Sequence, residues 1–281
     1  MTLAGWLAAL SVGLLAGAIS GLVGIGGGAV MVPFLYFFLA HPEISGALIL
    51  HSDQAVVAHA TSLLVIVPIS VRGAWLYHRE GLVEWNAVWR MGIASVVTAA
   101  LGARVAILVP GELLKVAFGV FLIIIATRLA FSKKREGDRP VDGNGIDTWR
   151  ALVGGAAVGF FSALLGVGGG LVAIPVLIYW LHVPIRKVTA TSLALITFTA
   201  VMGVFSYGMS GLYRSSGDVL TYFHLPAALA LAVGAILAVP LGTQLQLSMP
   251  THRLRPMFAI VFFLLGLRIV TVNLFDLVRF S

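Results

Sequence analysis

Two copies of a glycine-rich segment decide the fold of this chain of 281 residues. The first copy reads GAISGLVGIGGGAVMVP at residues 17–33, and the second reads GFFSALLGVGGGLVAIP at residues 159–175. They align without a gap, and nine of the 17 positions are identical. Both copies lie within apolar runs, where a glycine in a helix interior costs about 1 kcal/mol relative to alanine. Several glycines together therefore predict that a membrane helix is interrupted at each place.

The composition places the whole chain in the membrane class. Of all residues 59% are hydrophobic and only 10% are charged, whereas soluble domains carry about 25% charged residues. The mean hydropathy is +1.03. A water-soluble domain of this length cannot bury so much apolar surface, which argues against soluble enzymes and nucleic-acid-binding proteins. At about 20 residues per crossing, the apolar runs leave room for roughly eight to ten membrane segments.

Two further matches indicate that the entire chain is duplicated. The motif ATSL at 60–63 recurs at 190–193, and Leu101-Gly102 recurs as Leu241-Gly242. A polar, charged stretch with Gly and Pro separates the two halves, as is typical of an exposed linker. The first half also has about 12 extra residues around 41–53. We divide the chain into an N-terminal membrane repeat (1–131), a cytoplasmic basic linker (132–150) and a C-terminal membrane repeat (151–281).

Two topologies are open for each glycine block. The shorter arms cannot span about 30 Å of hydrocarbon, so the block is either a re-entrant hairpin or one broken crossing. With the linker in the cytoplasm, broken crossings would place Arg186, Lys187, Arg253 and Arg255 outside, against the positive-inside rule. The charge count favours an all-α polytopic membrane protein with both termini outside. It would consist of two inverted repeats, each a Gly-broken re-entrant hairpin plus three transmembrane helices.

The glycine breaks are also the predicted binding site. Interrupted backbone at membrane depth is tolerated only where it is buried in protein or lines a cavity. A helix that begins after a break presents free N–H groups and a positive dipole end, which suit an anion. Alternatively, the glycines form a small-residue surface for close helix packing. The predicted substrate-binding glycines are Gly24, Gly26, Gly27, Gly28, Gly166, Gly168, Gly169 and Gly170.

Polar side chains near the breaks complete the predicted site. Their hydroxyls can donate to anion oxygens without adding charge, although serine and threonine in membrane helices often bond to their own backbone instead. His59 can titrate, donate to an anion or couple transport to protons. The alternative for His59 is a packed or interfacial residue near a helix end. The predicted polar members are Ser20, Thr61, Ser62, Ser162, Thr191, Ser192 and His59.

The distribution of acidic residues favours an anionic substrate. All 11 Asp and Glu residues fall in loops or at segment ends, whereas cation pathways and proton relays usually place a carboxylate inside a membrane segment. The sequence has no G-x-S-x-G or H-E-x-x-H motif and no cysteine. We therefore predict no enzyme activity, no metal site and no cofactor. The predicted partners are a small anion, the lipid bilayer and a coupling proton or ion, with no nucleic acid.

The duplicated block G-[IV]-G-G-G-x-V-x-x-P, followed later by A-T-S-L, resembles the TauE/SafE sulfite exporter family of membrane transporters. The resemblance covers essentially the whole chain and implies a multi-pass protein of the cell inner membrane. It implies transport of small sulfur anions such as sulfite, sulfoacetate or other sulfonates. By matching positions, it implies that the glycine turns, Thr61-Ser62 and Thr191-Ser192 line the translocation path. The predicted function is secondary transport by alternating access; a passive anion channel and a transporter of another small organic anion remain open.

Overall fold

A computed structural model of the chain describes residues 1–46, 54–109, 146–214 and 222–250, with isolated positions between 123 and 127 and between 253 and 271. Most of the predicted linker (132–150) therefore lies outside the described residues, as do most residues of two apolar runs of the sequence, 112–131 and 256–275, where we expect membrane crossings. The helices within the four continuous stretches are α1 (Leu3–Val23), α2 (Gly28–Leu39), α3 (Pro42–Ser45), α4 (Gln54–Arg79), α5 (Trp85–Leu108), α6 (Thr148–Leu165), α7 (Gly170–Pro175, continued by a π-helical turn at Val176–Trp180), α8 (Ile185–Arg214) and α9 (Leu225–Ser248).

Six of the described helices are long and apolar enough to cross a membrane, namely α1, α4, α5, α6, α8 and α9. This finding confirms the prediction of an all-helical, multi-pass membrane protein. Helices α4, α5, α8 and α9 coincide, within a few residues, with four apolar runs of the sequence: 55–77, 85–109, 188–208 and 222–247. Helices α1 and α6 are the first arms of the two glycine blocks, and they contain 21 and 18 residues. The second arms are shorter.

Each glycine block folds back on itself as a hairpin. Gly5, near the start of α1, lies beside Phe38, near the end of α2, so that a Cβ built at Gly5 would stand 3.4 Å from the Phe38 ring. In the second half, a Cβ at Gly154 near the start of α6 would stand 2.6 Å from Val176 Cγ1, beyond the end of α7. The second arm therefore runs antiparallel to the first arm in both halves, and the chain returns to the end where it began.

Glycines allow the first helix of each half to pack closely against a helix of the other half. On α1, a Cβ at Gly13 or Gly21 would lie 2.3 Å from the carbonyl oxygen of Leu231 or Val239 on α9. The residue numbers rise together, so α1 and α9 are parallel. Such backbone-to-backbone packing through small residues is common between membrane helices. Helices α6 and α5 are also parallel, with Gly155 and Gly159 against the backbone of Met91 and Ser95.

Helices α4 and α8 form the centre of the bundle and run in opposite directions. A Cβ at Gly73 on α4 would meet Leu193 Cδ1 of α8 at 2.8 Å, and a Cβ at Gly203 on α8 would meet Leu63 Cδ1 of α4 at 2.8 Å. Each contact joins the late part of one helix to the early part of the other. Because α4 and α8 carry the two copies of ATSL, the equivalent helices of the two halves are antiparallel.

Basic residues gather at one end of the bundle. Lys187, at the start of α8, forms an ion pair with Glu84 before α5, with an N–O distance of 3.0 Å. Arg186 donates to carbonyl oxygens at the end of α9, and Arg90 donates to the carbonyl oxygen of Ile146 before α6. This end of the bundle therefore holds the ends of α4 and α9 and the starts of α5, α6 and α8.

Candidate anion site

A tight glycine turn separates the two arms of each hairpin. Gly24, Gly26 and Gly27 have φ angles of 83°, 78° and 79°. This left-handed region costs a residue with a Cβ roughly 1–2 kcal/mol. The predicted interruptions of both helices are therefore present, and glycine is the residue that makes them possible. The second turn has the same conformation, with φ angles of 64°, 81° and 79° at Gly166, Gly168 and Gly169.

The two turns meet in the middle of the bundle. A Cβ at Gly26 would lie 3.3 Å from methyl groups of both Ile66 and Ile196. A Cβ at Gly168 would meet the same two side chains at 3.0 and 3.1 Å. Ile66 follows the start of α4 by about 12 residues, which is roughly 18 Å at 1.5 Å per residue. Both turns therefore lie at about half the length of the central helices.

The turns also interlock through their last glycines. A Cβ at Gly28 would stand 2.6 Å from Val167 Cα of the opposite turn, and a Cβ at Gly170 would stand 2.5 Å from Ile25 Cα. Side chains at these positions would push the two turns apart. Close packing, the alternative explanation of the glycines, therefore applies to Gly28 and Gly170, whereas left-handed backbone explains the three glycines before each of them.

The second arms begin without a side-chain cap. The N-cap residues of α2 and α7 are Gly27 and Gly169, neither of which can supply a capping side chain. In both halves the first backbone bonds of the new helix return to the N-cap carbonyl oxygen. The N–H groups ahead of those bonds have no partner within the helix, and they carry the positive end of its dipole. These two starts are deeply buried and adjoin the opposite turn.

Three buried serine hydroxyls in this region lack a hydrogen-bond partner: Ser20, Ser62 and Ser162. All three side chains are fully buried. A buried hydroxyl without a partner costs about 1–3 kcal/mol, so it calls for an explanation. A Cβ built at Gly169 would stand 2.9 Å from Ser162 Cβ, so Ser162 lies beside the second turn. Ser20 is joined to the first turn through its carbonyl oxygen, which accepts the Gly24 N–H at 2.8 Å. The unpaired hydroxyls therefore accompany both turns, and an anion oxygen would satisfy them.

Three other predicted hydroxyls have protein partners. Ser192 donates to the Gly24 carbonyl oxygen at 2.8 Å. The Thr61 hydroxyl accepts the His224 N–H at 3.0 Å, and the Thr191 hydroxyl accepts the Glu84 N–H at 3.1 Å. The two threonine bonds are equivalent, because each ties the loop before α9 or α5 to the central helix of the other half. They give both threonines a structural role, and their role in substrate binding stays a prediction.

His59 is buried in the protein core, with 3% of its surface exposed. A Cβ at Gly166 would stand 2.5 Å from His59 Cα, so the residue lies directly against the second turn. Its Nε2 is hydrogen-bonded to the Tyr36 hydroxyl from α2. The sequence left open an interfacial position for this histidine, and the structure places it inside. Its counterpart in the second half is Thr189, which lies against Gly24 in the same way.

Two tyrosines and one glutamine of this region were not predicted. The Tyr77 hydroxyl donates to the Gly21 carbonyl oxygen at 2.6 Å, and the Tyr207 hydroxyl donates to that of Ala163 at 2.9 Å. Each bond fixes the last turn of the first arm of a hairpin, α1 or α6. The two tyrosines are separated by the same number of residues as the two ATSL motifs, so the internal repeat could have identified them from the sequence. Gln246 is fully buried and neither of its amide atoms has a partner. An amide within an apolar run was the signal for it.

Neutral groups dominate the buried polar side chains. Among the described residues, the buried polar side chains are Ser, Thr, Gln and two histidines, with no Asp, Glu, Lys or Arg. No cluster of three His, Asp or Glu residues in the described part could hold a metal ion. The glycine turns are thus surrounded by hydrogen-bonding groups without a fixed charge. Such a site can hold an anion without trapping it on a permanent cation.

A helical membrane protein with duplicated halves and broken helices that meet at mid-depth has an architecture found among membrane transporters. The profile of the sulfite exporter TauE/SafE family matches residues 9–269, and the chain belongs to this family.

Proteins named probable membrane transporters align with nearly the full chain. One from Methanocaldococcus jannaschii is 29% identical, covering 91% of this chain and 92% of the relative. One from Haemophilus influenzae is 27% identical, covering 96% and 97%. YunE of Bacillus subtilis is 29% identical, covering 94% and 97%. No solved structure matches the chain significantly. The comparisons thus support a membrane transporter.

Proposed function

We propose that this protein is a secondary transporter of small anions, with sulfite and organosulfonates such as sulfoacetate as its substrates. The observation that carries the proposal is the set of unpaired, buried hydroxyls near two uncapped helix starts. Ser20 and Ser162 each precede a glycine turn by four residues, and Ser62 follows by three residues His59, which lies against the second turn. The name of the family supports the choice of sulfur oxyanions. The predicted glycines, serines and threonines and His59 form the proposed translocation site.

The chemistry of the site suits an oxyanion. A sulfite or sulfonate group has three oxygens, each of which can accept more than one hydrogen bond. Backbone N–H groups at a helix start and serine hydroxyls are donors that supply partial positive charge only. Binding through neutral donors stays weak enough for release on the other side. A fixed lysine or arginine at this depth would hold the anion more tightly, and none is buried among the described residues.

Alternating access is the proposed mechanism. The antiparallel arrangement of α4 and α8 supports inverted repeats, and the hairpins support two re-entrant elements that reach mid-membrane from opposite sides. Because each hairpin packs on a helix of the other half, movement of one half changes access to both turns. The alternative of a passive channel predicts non-saturable flux, so the kinetics of transport separate the two mechanisms.

The proposed orientation places the basic end of the bundle in the cytoplasm, according to the positive-inside rule. The protein would then lie in the cell inner membrane with the linker 132–150 in the cytoplasm and both termini outside. We expect a reporter fused after Ser281 to be active if it functions outside the cytoplasm, and inactive if it requires the cytoplasm. The reverse pattern would contradict the inverted-repeat topology.

The proposed activity is tested with purified protein in liposomes. We expect saturable uptake of labelled sulfite or sulfoacetate, accelerated by unlabelled anion trapped inside, as a carrier requires. Thiosulfate and small carboxylates serve as competitors that define specificity. Uptake that rises linearly with concentration and gains nothing from trapped anion would indicate a channel. No difference between protein-containing and empty liposomes for any of these anions would refute the proposal.

A further inference from the structure

The pair formed by His59 and Tyr36 is the part of the site that the internal repeat does not explain. In the second half, the equivalent positions hold Thr189 and Ile178. Thr189 makes the same backbone approach to the first turn, with its Cα 2.8 Å from a Cβ built at Gly24. Because the second half makes this contact with a threonine, the fold itself does not require an imidazole. The histidine therefore invites a functional explanation.

We propose that His59 binds a proton that is carried across the membrane together with the anion, an inference that rests on the proposed transport function. Burying an anion far from water is costly unless a compensating charge accompanies it. The described residues bury no lysine or arginine. A histidine changes its charge near neutral pH and can supply the positive charge only when it is needed.

Among the titratable groups in this part of the bundle, His59 is the one suited to carry the proton. The titratable side chains brought by the helices packed against α4 are phenols and one further imidazole. Tyr36 comes from α2, Tyr207 and Tyr213 come from α8, and Tyr222 and His224 precede α9. Helix α1 has no titratable side chain, and the exposed Glu43 lies on α3. The remaining charged residues of these helices lie toward helix ends or on exposed surface: Arg72, His78 and Arg79 on α4, Arg150 on α6, and Arg186, Lys187 and Arg214 on α8.

His224 is already committed to a structural bond. Its Nδ1 accepts the Ala227 N–H at 3.2 Å, which caps the start of α9. Burial lowers the pKa of this imidazole, so it stays neutral at pH 7. Protonating His224 would also break the cap. His59 lies within α4, where it is hydrogen-bonded to Tyr36 and adjoins a glycine turn directly.

The proposed cycle conserves protons and anions. His59 takes up one proton from the side on which the anion enters, and its charged imidazole stabilises the anion beside the second turn. After the bundle opens to the other side, the anion leaves and the imidazole returns the proton to water there. Each cycle moves one anion and one proton in the same direction. A pH gradient therefore drives accumulation of the anion.

The test uses the full chain in liposomes with labelled sulfoacetate and, in parallel, labelled sulfite. The membrane potential is held at zero with valinomycin and equal potassium. With the outside one pH unit more acidic, we expect the wild type to accumulate sulfoacetate about tenfold, since one pH unit is a tenfold proton ratio. His59→Thr, which copies the second half, should lose this accumulation and show weaker exchange of labelled for unlabelled anion at equal pH, since the charged imidazole also stabilises the bound anion. His78→Thr, an exposed histidine on the same helix, should behave as wild type.

The outcomes separate this inference from the proposed function. Exchange by the wild type without any effect of the pH gradient would overturn proton coupling and leave anion transport intact. Gradient-driven accumulation by His59→Thr equal to that of the wild type would overturn the role of His59. Absence of exchange by the wild type with both anions would refute the transport function and this inference with it. If His59→Thr loses exchange, His59→Gln, which keeps a neutral polar group, takes its place.

Discussion

Gly27→Leu and Gly169→Leu are each expected to reduce anion uptake in liposomes to the level of empty vesicles. Both glycines have φ near 79°, where a residue with a Cβ is strained by about 1–2 kcal/mol. A Cβ at Gly27 would also lie 3.1 Å from the Ala16 carbonyl oxygen, and one at Gly169 would lie 2.9 Å from Ser162 Cβ. The leucine side chain must therefore displace the turn that begins the second arm, which moves the proposed anion donors.

The control for backbone strain is Gly81→Leu. Gly81 has a φ of 68°, but a Cβ there would meet nothing within 4 Å, because the residue lies in the exposed loop between α4 and α5. This variant carries a similar strain without reaching the site, and we expect normal uptake. Chromatography in detergent checks that all three variants remain folded and monodisperse. Wild-type uptake by folded Gly27→Leu and Gly169→Leu would mean that the turns do not take part in transport.

Ser20→Ala and Ser162→Ala are expected to weaken anion binding by roughly ten- to a hundredfold each while leaving stability unchanged or slightly raised. The affinity estimate follows from a hydrogen bond to a charged group, which is worth about 1.5–3 kcal/mol. The stability estimate follows from the absence of any protein partner for either hydroxyl, so alanine removes an unsatisfied group. Binding is measured by calorimetry, and stability is measured by thermal unfolding in the same detergent.

Ser192→Ala provides the comparison for stability. Its hydroxyl donates to the Gly24 carbonyl oxygen, so its removal should lower the free energy of unfolding by about 0.5–1.5 kcal/mol. A loss of stability in Ser20→Ala or Ser162→Ala comparable to that in Ser192→Ala, with wild-type affinity, would show that these serines serve the fold and not the ligand.

Much of the architecture could be predicted from the sequence because the chain contains an internal repeat. The repeat of G-x-G-G-G predicted both helix breaks, and the observed left-handed glycines are the physical reason for them. The ATSL motif identified α4 and α8 as equivalent helices. Their antiparallel direction agrees with what the charge count favoured, since charge at helix ends reports on the side of the membrane.

Other features of the site depend on contacts that a single sequence does not encode locally. The sequence predicted that the threonines of ATSL bind substrate, which stays a prediction, and it did not indicate that their hydroxyls accept the N–H groups of Glu84 and His224. Such partners are more than a hundred residues away in the chain. The pairing of His59 with Tyr36 likewise depends on how α2 folds back. Close packing by Gly28 and Gly170 became visible only when the two turns were seen to interlock.

A structure with bound sulfite is the sharpest test of the proposed anion site. We expect the anion between the two glycine turns, with its oxygens within about 3.2 Å of the first N–H groups of α2 or α7 and of the Ser20 or Ser162 hydroxyl. Substrate bound elsewhere, with both turns still packed against each other and the serine hydroxyls still unpaired, would contradict it.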